Sequence, residues 1–457
     1  MLQIQQGSPA RNCQGITRRS ALKAGFLGLL GLSLPDLLRL RAASDAANDT
    51  SVILLWLDGG PSQLESYDPK PEAPAEYRGP FGAIDTNVPG IRISESLPCH
   101  ARHADKMAFV RSLHHDNGDH FAAAHWMLTG RFGSNAADQA QKYPSVGSFA
   151  ARVRGANQPG LPAYVGLPAA QSVYLFPGYQ GSAYLGPAYN PFDVDRVQKY
   201  LGATGNTPIR KPRCLENFAQ AEPGQMQTRR DLLGGIDTIR RDLDQSGTMD
   251  TLDRYQQQAI DMILGGKARE AFDIEREDPK MADRYGLGPW GRYTLMARRL
   301  VEAGVTFVTV DMPHWDDHSK IKEGHGPKLL HMDRAVGALL EDLDDRGLSE
   351  KVLVVVMGEF GRTPKLNTGQ PGIPVPGRDH WGNAISAMLA GGGLRGGQVV
   401  GATNAKAEHP VDHPLKPADL LATVYHVLGI DPNLSFKDHT GRPIPILDEA
   451  KPIAEVI

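Results

Sequence analysis

Apolar residues along the chain follow two periods, and the two alternate. Ser51-Val52-Ile53-Leu54-Leu55-Trp56-Leu57 is a nearly unbroken apolar run with β-branched members, which predicts a parallel strand buried on both faces. Residues 305–310 and 352–357 repeat that pattern, and residues 384–389 supply a further strand. From 327 to 346, between the second and third runs, apolar residues such as Leu329, Met332, Val336, Leu339 and Leu343 recur at helical spacing, and Gly347 follows as the residue after the helix. Strand, helix, strand in this order is a βαβ crossover. Another helix runs through Ala122, Ala123, Ala124 and Met127, and residues 420–428 read as a late helix. The prediction is an α/β fold whose mostly parallel sheet is sandwiched by helices.

Other stretches break the pattern. Residues 216–299 are polar, with runs such as Arg229-Arg230-Asp231 and Arg240-Arg241-Asp242 that read as solvated helix faces, so a helical insertion is expected there. Residues 155–191, rich in Gly, Pro and Tyr, read as a long ordered loop region beside a pocket. At the start, Thr17-Arg18-Arg19-Ser20 precedes an apolar run over residues 24–34 that Pro35 and Asp36 close, the order of a twin-arginine export signal. That run falls short of the roughly 20 residues that span a bilayer, so no stable transmembrane span is expected after cleavage. The expected organisation is a leader over 1–47, one domain over 48–440 and a tail over 441–457, in a periplasmic or extracellular protein.

Composition narrows the function classes. With 49 basic and 52 acidic residues and a net charge of −3, no global field recruits nucleic acid. Of Cys13, Cys99 and Cys214, the first leaves with the leader, and no CxxC is present, which argues against a thiolate zinc site.

The chemistry gathers where strands end. Asp58 follows the first strand, Trp315-Asp316-Asp317-His318 follows the second, Glu359 follows the third, and Gly377-Arg378-Asp379-His380-Trp381 precedes the fourth. Carboxylates and imidazoles at the carboxyl ends of parallel strands are the donor types of a metal site. A divalent metal is therefore expected, as one or two ions, with Zn²⁺ preferred and Ca²⁺ or Mn²⁺ as alternatives.

The order of a strand-borne Asp, Leu128-Thr129-Gly130-Arg131, an Asp/His pair, an acidic strand end and a late His resembles the alkaline phosphatase superfamily, which includes sulfatases and phosphoglycerate-mutase-like enzymes. Gly358-Glu359-Phe360-Gly361-Arg362-Thr363-Pro364 with Gly377-Arg378-Asp379-His380-Trp381 and the twin-arginine leader resembles, more closely, a secreted bacterial branch of uncharacterised function. The resemblance implies an alkaline-phosphatase-like fold and metal ligands Asp58, Asp316, His318, Glu359 and His380. Asp311 with His314 is the other choice for the middle pair; Asp316 and His318 are preferred because the closer branch carries Trp-Asp-x-His. Phe360 stands where sulfatases have an imidazole, which it cannot replace.

The nucleophile is where the pattern departs furthest. The sulfatase nucleophile lies nine positions before the Thr of Leu-Thr-Gly-Arg, and that position here is His120. His120 is open to three roles, as metal ligand (the first choice), attacking group or contact to an anionic oxygen. Ser62 and Thr129 are alternative hydroxyl nucleophiles, and Cys99 is a decoy. Arg362 and Arg378 are expected either to clamp phosphate or sulfate in bidentate fashion or to pair with a carboxylate. The resulting expectation is an exported, metal-dependent hydrolase of anionic sulfate or phosphate esters, sulfated polysaccharide among them. The competing expectation is a non-catalytic envelope protein that retains the fold, with binding of sulfated polysaccharide without cleavage as a third.

Overall fold

The structure is a computed structural model that describes residues 49–170, 179–195, 209–212, 215 and 266–457. The chain divides into Met1–Asp49 and Thr50–Ile457, and the second unit is the one described below. The expected leader over 1–47, residues 216–265 of the expected insertion, and Cys214 lie outside the described residues.

Among the described residues, eight strands build the central sheet: β1 Ser51–Trp56, β2 Met107–Leu113, β3 Tyr164–Leu167, β4 Phe192–Asp193, β5 Phe307–Asp311, β6 Val352–Met357, β7 Ile385–Gly391 and β8 Gln398–Val400. They lie in the order β8-β2-β7-β6-β1-β5-β3-β4. Of these strands β7 alone runs antiparallel to its neighbours, and the remaining pairs are parallel. The fold is thus the expected mostly parallel sheet between helices. The unbroken apolar runs follow from burial on both faces. Ile53, Leu55 and Val354 face one apolar layer with Trp290, Leu300 and Leu329; Val52, Leu54 and Val355 face the other with Met127, Phe149 and Leu421.

The helices that supply those layers are α1 His120–Thr129, α2 Val146–Val153, α3 Pro289–Ala303, α4 Ile321–Asp345 and α5 Pro417–Val427. α4 begins ahead of the expected residue 327 and carries Pro327 inside it. The Asp119 carboxylate caps α1 by accepting from the Ala122 N–H at 2.9 Å, and Gly130 ends it in the left-handed conformation.

Two further segments contribute to the core. The end of the polar stretch 216–299 is part of the sheet packing: Trp290, Leu295, Met296 and Leu300 of α3 are buried. Of its charges, buried Arg298 pairs with Glu277, Glu302 and Asp342, while Lys267, Arg269, Glu275 and Lys280 are exposed; the charged runs at 229–231 and 240–242 lie outside the described residues. The 441–457 stretch, the expected C-terminal tail, is the second. Ile446, Leu447, Ile453 and Val456 are buried, and Arg131 of Leu-Thr-Gly-Arg ties it down through the Asp448 carboxylate and the Pro445 carbonyl.

Candidate metal centre

Chain direction brings the ligand types to one edge of the sheet. Asp58 and Glu359 each lie two residues beyond a strand, β1 and β6, and the Asp316 loop leaves the end of β5. His380 pairs with Arg362 in a two-stranded ladder, His380–Trp381 against Gly361–Arg362; this ladder leads into antiparallel β7, which enters the sheet from that same edge. His120 opens α1 beyond the end of β2.

Asp316 is the hub. Its Oδ1 lies 3.0 Å from Nε2 of His380 and 3.0 Å from Nε2 of His318, and its Oδ2 lies 3.3 Å from Nε2 of His120. The donor atoms of His120, Asp316 and His380 all fall within 4.8 Å of one another, a grouping able to hold a metal ion. The outer nitrogen of each ring also faces an oxygen. Nδ1 of His120 stands 2.7 Å from Glu359 Oε1, Nδ1 of His318 stands 2.7 Å from Asp379 Oδ1, and Nδ1 of His380 stands 2.8 Å from the Gly118 carbonyl. A carbonyl only accepts, as does an ionised carboxylate, and a neutral imidazole donates at one nitrogen only. Three rings that each lie between two acceptors are therefore three imidazolium ions around one carboxylate, or three neutral rings whose inner nitrogens turn lone pairs toward a cation. Fixing the outer N–H in this way is how metal-binding histidines are oriented.

The electrostatics follow the same contacts. Burial alone raises the Asp316 carboxyl, but hydrogen bonds from His120, His318 and His380, with the Arg362 charge, hold it well below the usual carboxylate range. Burial opposes a charge on His120, yet its hydrogen bonds to Asp316 and Glu359 raise it to about 9.

The remaining expected site residues divide. Glu359 touches His120 rather than the other ring nitrogens, and it is held by the Gly59 N–H at 2.9 and 3.2 Å. Phe360 is fully buried and stacks on His380 with ring centroids 4.5 Å apart, forming an apolar wall beside the cluster. The buried Asp58 accepts the Trp315 N–H at its backbone carbonyl, which pins the two loops together. At Gly59, φ is +112° and a Cβ would stand 2.7 Å from the Trp315 nitrogen, so only glycine permits this approach.

Both arginines are committed to the protein. Arg362, with no exposed surface, donates to the Asp316 carboxylate at 2.6 Å and to the carbonyls of Gly59, Gly60, Trp315 and Arg378. Arg378, equally buried, meets Glu65 through Nε and Nη2 at 2.9 to 3.1 Å, and its other hydrogens go to the carbonyls of Thr363, Pro364 and Tyr77. The donors of Arg378 are thus occupied by the carboxylate pair, the other of its two expected roles, and by carbonyls. The hydroxyl alternatives are similarly engaged: Ser62 donates to Glu65, and Thr129 to the His125 carbonyl at 2.7 Å. Cys99 contacts Arg102 and the α4 residues Asp333 and Gly337.

A support on the far side of Asp316 escapes sequence reasoning. The next residue, Asp317, turns its carboxylate to His325 Nδ1 at 2.6 Å and Lys328 Nζ at 2.6 Å. His325 Nε2 in turn accepts the Ser62 N–H at 3.1 Å. The signal is that His325 and Lys328 share one face of a helical turn, and it is obscured by a helix expected to begin only at 327.

A family profile described as "Protein of unknown function (DUF1501)" matches residues 49–457. No curated protein matches the chain. Among solved structures the chain is similar to the PsFucS1 sulfatase from Pseudoalteromonas sp., at 11% identity and a TM-score of 0.38 over 85% of this chain and 70% of that one. It is similar to the C-terminal periplasmic domain of EcEptC from Escherichia coli in complex with Zn, at 10% and 0.38 over 84% and 85%. A TAB5 alkaline phosphatase mutant with Mg bound gives 13% and 0.36 over 83% and 98%.

Proposed function

The chain belongs to the DUF1501 family, and from its site we propose that it is a metal-dependent hydrolase of phosphate or sulfate esters, exported by the twin-arginine route. The observation that carries this reading is the convergence of His120, His318 and His380 on Asp316 with every outer ring nitrogen already held by an acceptor. Three imidazoles and one carboxylate suit Zn²⁺ and are a poor set for Ca²⁺, which takes oxygen ligands. We assign one ion to His120, Asp316 and His380; His318 lies outside that grouping but meets Asp316 Oδ1 at 3.0 Å, and a shift of its ring toward the ion would make it the fourth donor.

Such an ion supplies Lewis acidity, polarising a phosphoryl or sulfuryl oxygen and activating water for attack. The chain's own residues do the rest. Glu359 fixes the His120 ring, the Gly118 carbonyl fixes His380, and Phe360 excludes water from one side of both rings. The engagement of Ser62 and Thr129 elsewhere supports water as the nucleophile. Arg362 acts through Asp316, holding it ionised, and does not bind the substrate.

A second reading has an observation in its favour. With both arginines turned inward, a metal-stabilised envelope protein that does not cleave esters also fits. Elemental analysis of the purified protein, joined to hydrolysis assays with aryl phosphate and aryl sulfate before and after chelation, separates the two. Bound zinc with chelator-sensitive hydrolysis is expected; bound zinc without hydrolysis selects the non-catalytic reading, and a protein that binds no metal overturns the metal centre itself.

A further inference from the structure

Of the three imidazoles, His318 and His380 sit at the rim, their side chains 25% and 22% exposed against 9% for His120, so packing alone leaves them more rotamer freedom to lose on taking up a ligand geometry. For His380 a stacked Phe360 restricts the ring; for His318 the restraint lies at its outer nitrogen. What holds its outer nitrogen is Asp379, whose Oδ1 lies 2.7 Å from His318 Nδ1.

Asp379 is more than half exposed, and a solvated carboxylate would ordinarily hold a ring weakly. Here its position is fixed by a small network. The Asp379 N–H donates to Thr363 Oγ1 at 2.9 Å, and the Thr363 N–H returns to the Asp379 carbonyl at 2.8 Å. Asn367 Nδ2 reaches the Asp379 carboxylate at 3.3 and 3.4 Å and the His318 carbonyl at 2.9 Å, while its Oδ1 accepts the Gly377 N–H at 2.8 Å. One amide side chain therefore ties the histidine's backbone to the carboxylate that orients its ring. Gly377 allows the two strands of this loop to touch, since a Cβ there would lie 2.3 Å from the His318 carbonyl carbon.

We propose that Asp379, fixed by Asn367 and Thr363, is the positioning residue that turns His318 Nε2 toward Asp316 and so adds the fourth donor to the metal set. The assignment rests on the metal centre proposed above. Adjacent residues of Gly-Arg-Asp-His-Trp then play different parts, with His380 binding the ion and Asp379 orienting another ligand across the loop.

Zinc affinity measured by chelator competition on the folded full chain tests this, with the visible spectrum of the Co²⁺-substituted protein as a second readout of donor number and geometry. Asp379→Ala is expected to weaken zinc binding by about 10- to 100-fold, the range found for outer-shell partners, and to change the Co²⁺ bands. Asp379→Asn keeps an acceptor oxygen and is expected to fall between the parent and Asp379→Ala. His318→Ala should weaken binding too, and adding Asp379→Ala to it should cost nothing further, because the two act as a unit. Asn367→Ala, which leaves the ligands and carboxylate in place, is expected to shift the Co²⁺ bands in the same direction as Asp379→Ala. Parent-like affinity and spectrum in Asp379→Ala, or an additive loss in the double variant, would overturn the proposal while leaving the metal centre standing. Absence of metal from the parent would instead remove the reading on which it rests.

Discussion

Nδ1 of His120 stands 2.7 Å from Oε1 of Glu359, while Nε2 of the same ring points at Asp316 from 3.3 Å. The ring is thus a bridge between two carboxylates, one of which faces the other imidazoles and one of which stands behind it. That order makes His120 the inner residue and Glu359 the orienting one. Glu359→Gln is expected to weaken zinc binding about 10- to 100-fold while retaining stoichiometric metal at high zinc. Asp316→Ala, which removes the hub, is expected to lose the ion. Competition titration distinguishes them, and a Glu359→Gln protein as metal-free as Asp316→Ala would make Glu359 a direct ligand.

The same contacts give the chelated protein a bounded pH range. His120 is raised in the folded state to about 9 from the roughly 6.5 of a free histidine. Its contribution is therefore complete below that unfolded value and is lost as pH rises through about 9. Asp316 is depressed, so its contribution is present above the ordinary carboxylate range near 4 and is lost as acid protonates it. Thermal melting of the chelated protein should give its highest Tm between about pH 4 and 6.5, with a fall toward pH 9 that saturating zinc relieves. A Tm that climbs steadily from pH 6 to 9 without metal would contradict the protonation assigned to His120.

Arg378 is predicted to matter for stability and not for substrate binding. Deleting it leaves Glu65, 1% exposed, as a buried carboxylate without its counter-ion, a loss worth about 3–5 kcal/mol. Denaturant titration of Arg378→Ala should show a loss of that order. Adding Glu65→Leu should recover part of it, because the stranded charge is removed. If Arg378→Ala is as stable as the parent but selectively loses affinity for sulfate or phosphate, the clamp role returns.

The legible parts of the sequence are those with a single physical cause. Strands β1, β5 and β6 are buried throughout and mainly apolar, with Thr309 the one polar residue inside β5, because helices cover both faces, and that pattern also locates the edge where Asp58, Asp316 and Glu359 emerge. β3 is hidden as four residues, Tyr164-Val165-Gly166-Leu167, inside a stretch whose Gly and Pro content reads as loop. β2 carries the part-exposed Arg111 within Met107–Leu113, and that interruption masks it as a strand. At the site, residue type announces the donors but not their order of contact. Nothing local tells that Arg378 meets Glu65, 313 positions away, or that Glu359 stands behind His120. The Asp316-Asp317 pair shows the limit plainly: two adjacent identical residues serve opposite sides, one the histidine cluster and the other His325 and Lys328.

Gly59 offers a test of how tightly the first loop is built around that cluster. Its N–H holds Glu359, its φ is +112°, and a Cβ would lie 2.7 Å from the Trp315 nitrogen and 2.8 Å from that of Asp316. Gly90 is the control, because it also has a positive φ, +85°, but nothing within 4 Å of an added Cβ. Gly90→Ala should therefore carry only backbone strain, on the order of 1–3 kcal/mol. Gly59→Ala carries that strain and must also push the Asp316 loop away, so it should destabilise more and weaken zinc binding, which Gly90→Ala should leave unchanged. Denaturant titration and chelator competition on both variants measure the two effects separately. Equal stability losses with unaltered zinc affinity would mean that the loop yields without moving Asp316, and that the close approach at Gly59 does not set the geometry of the site.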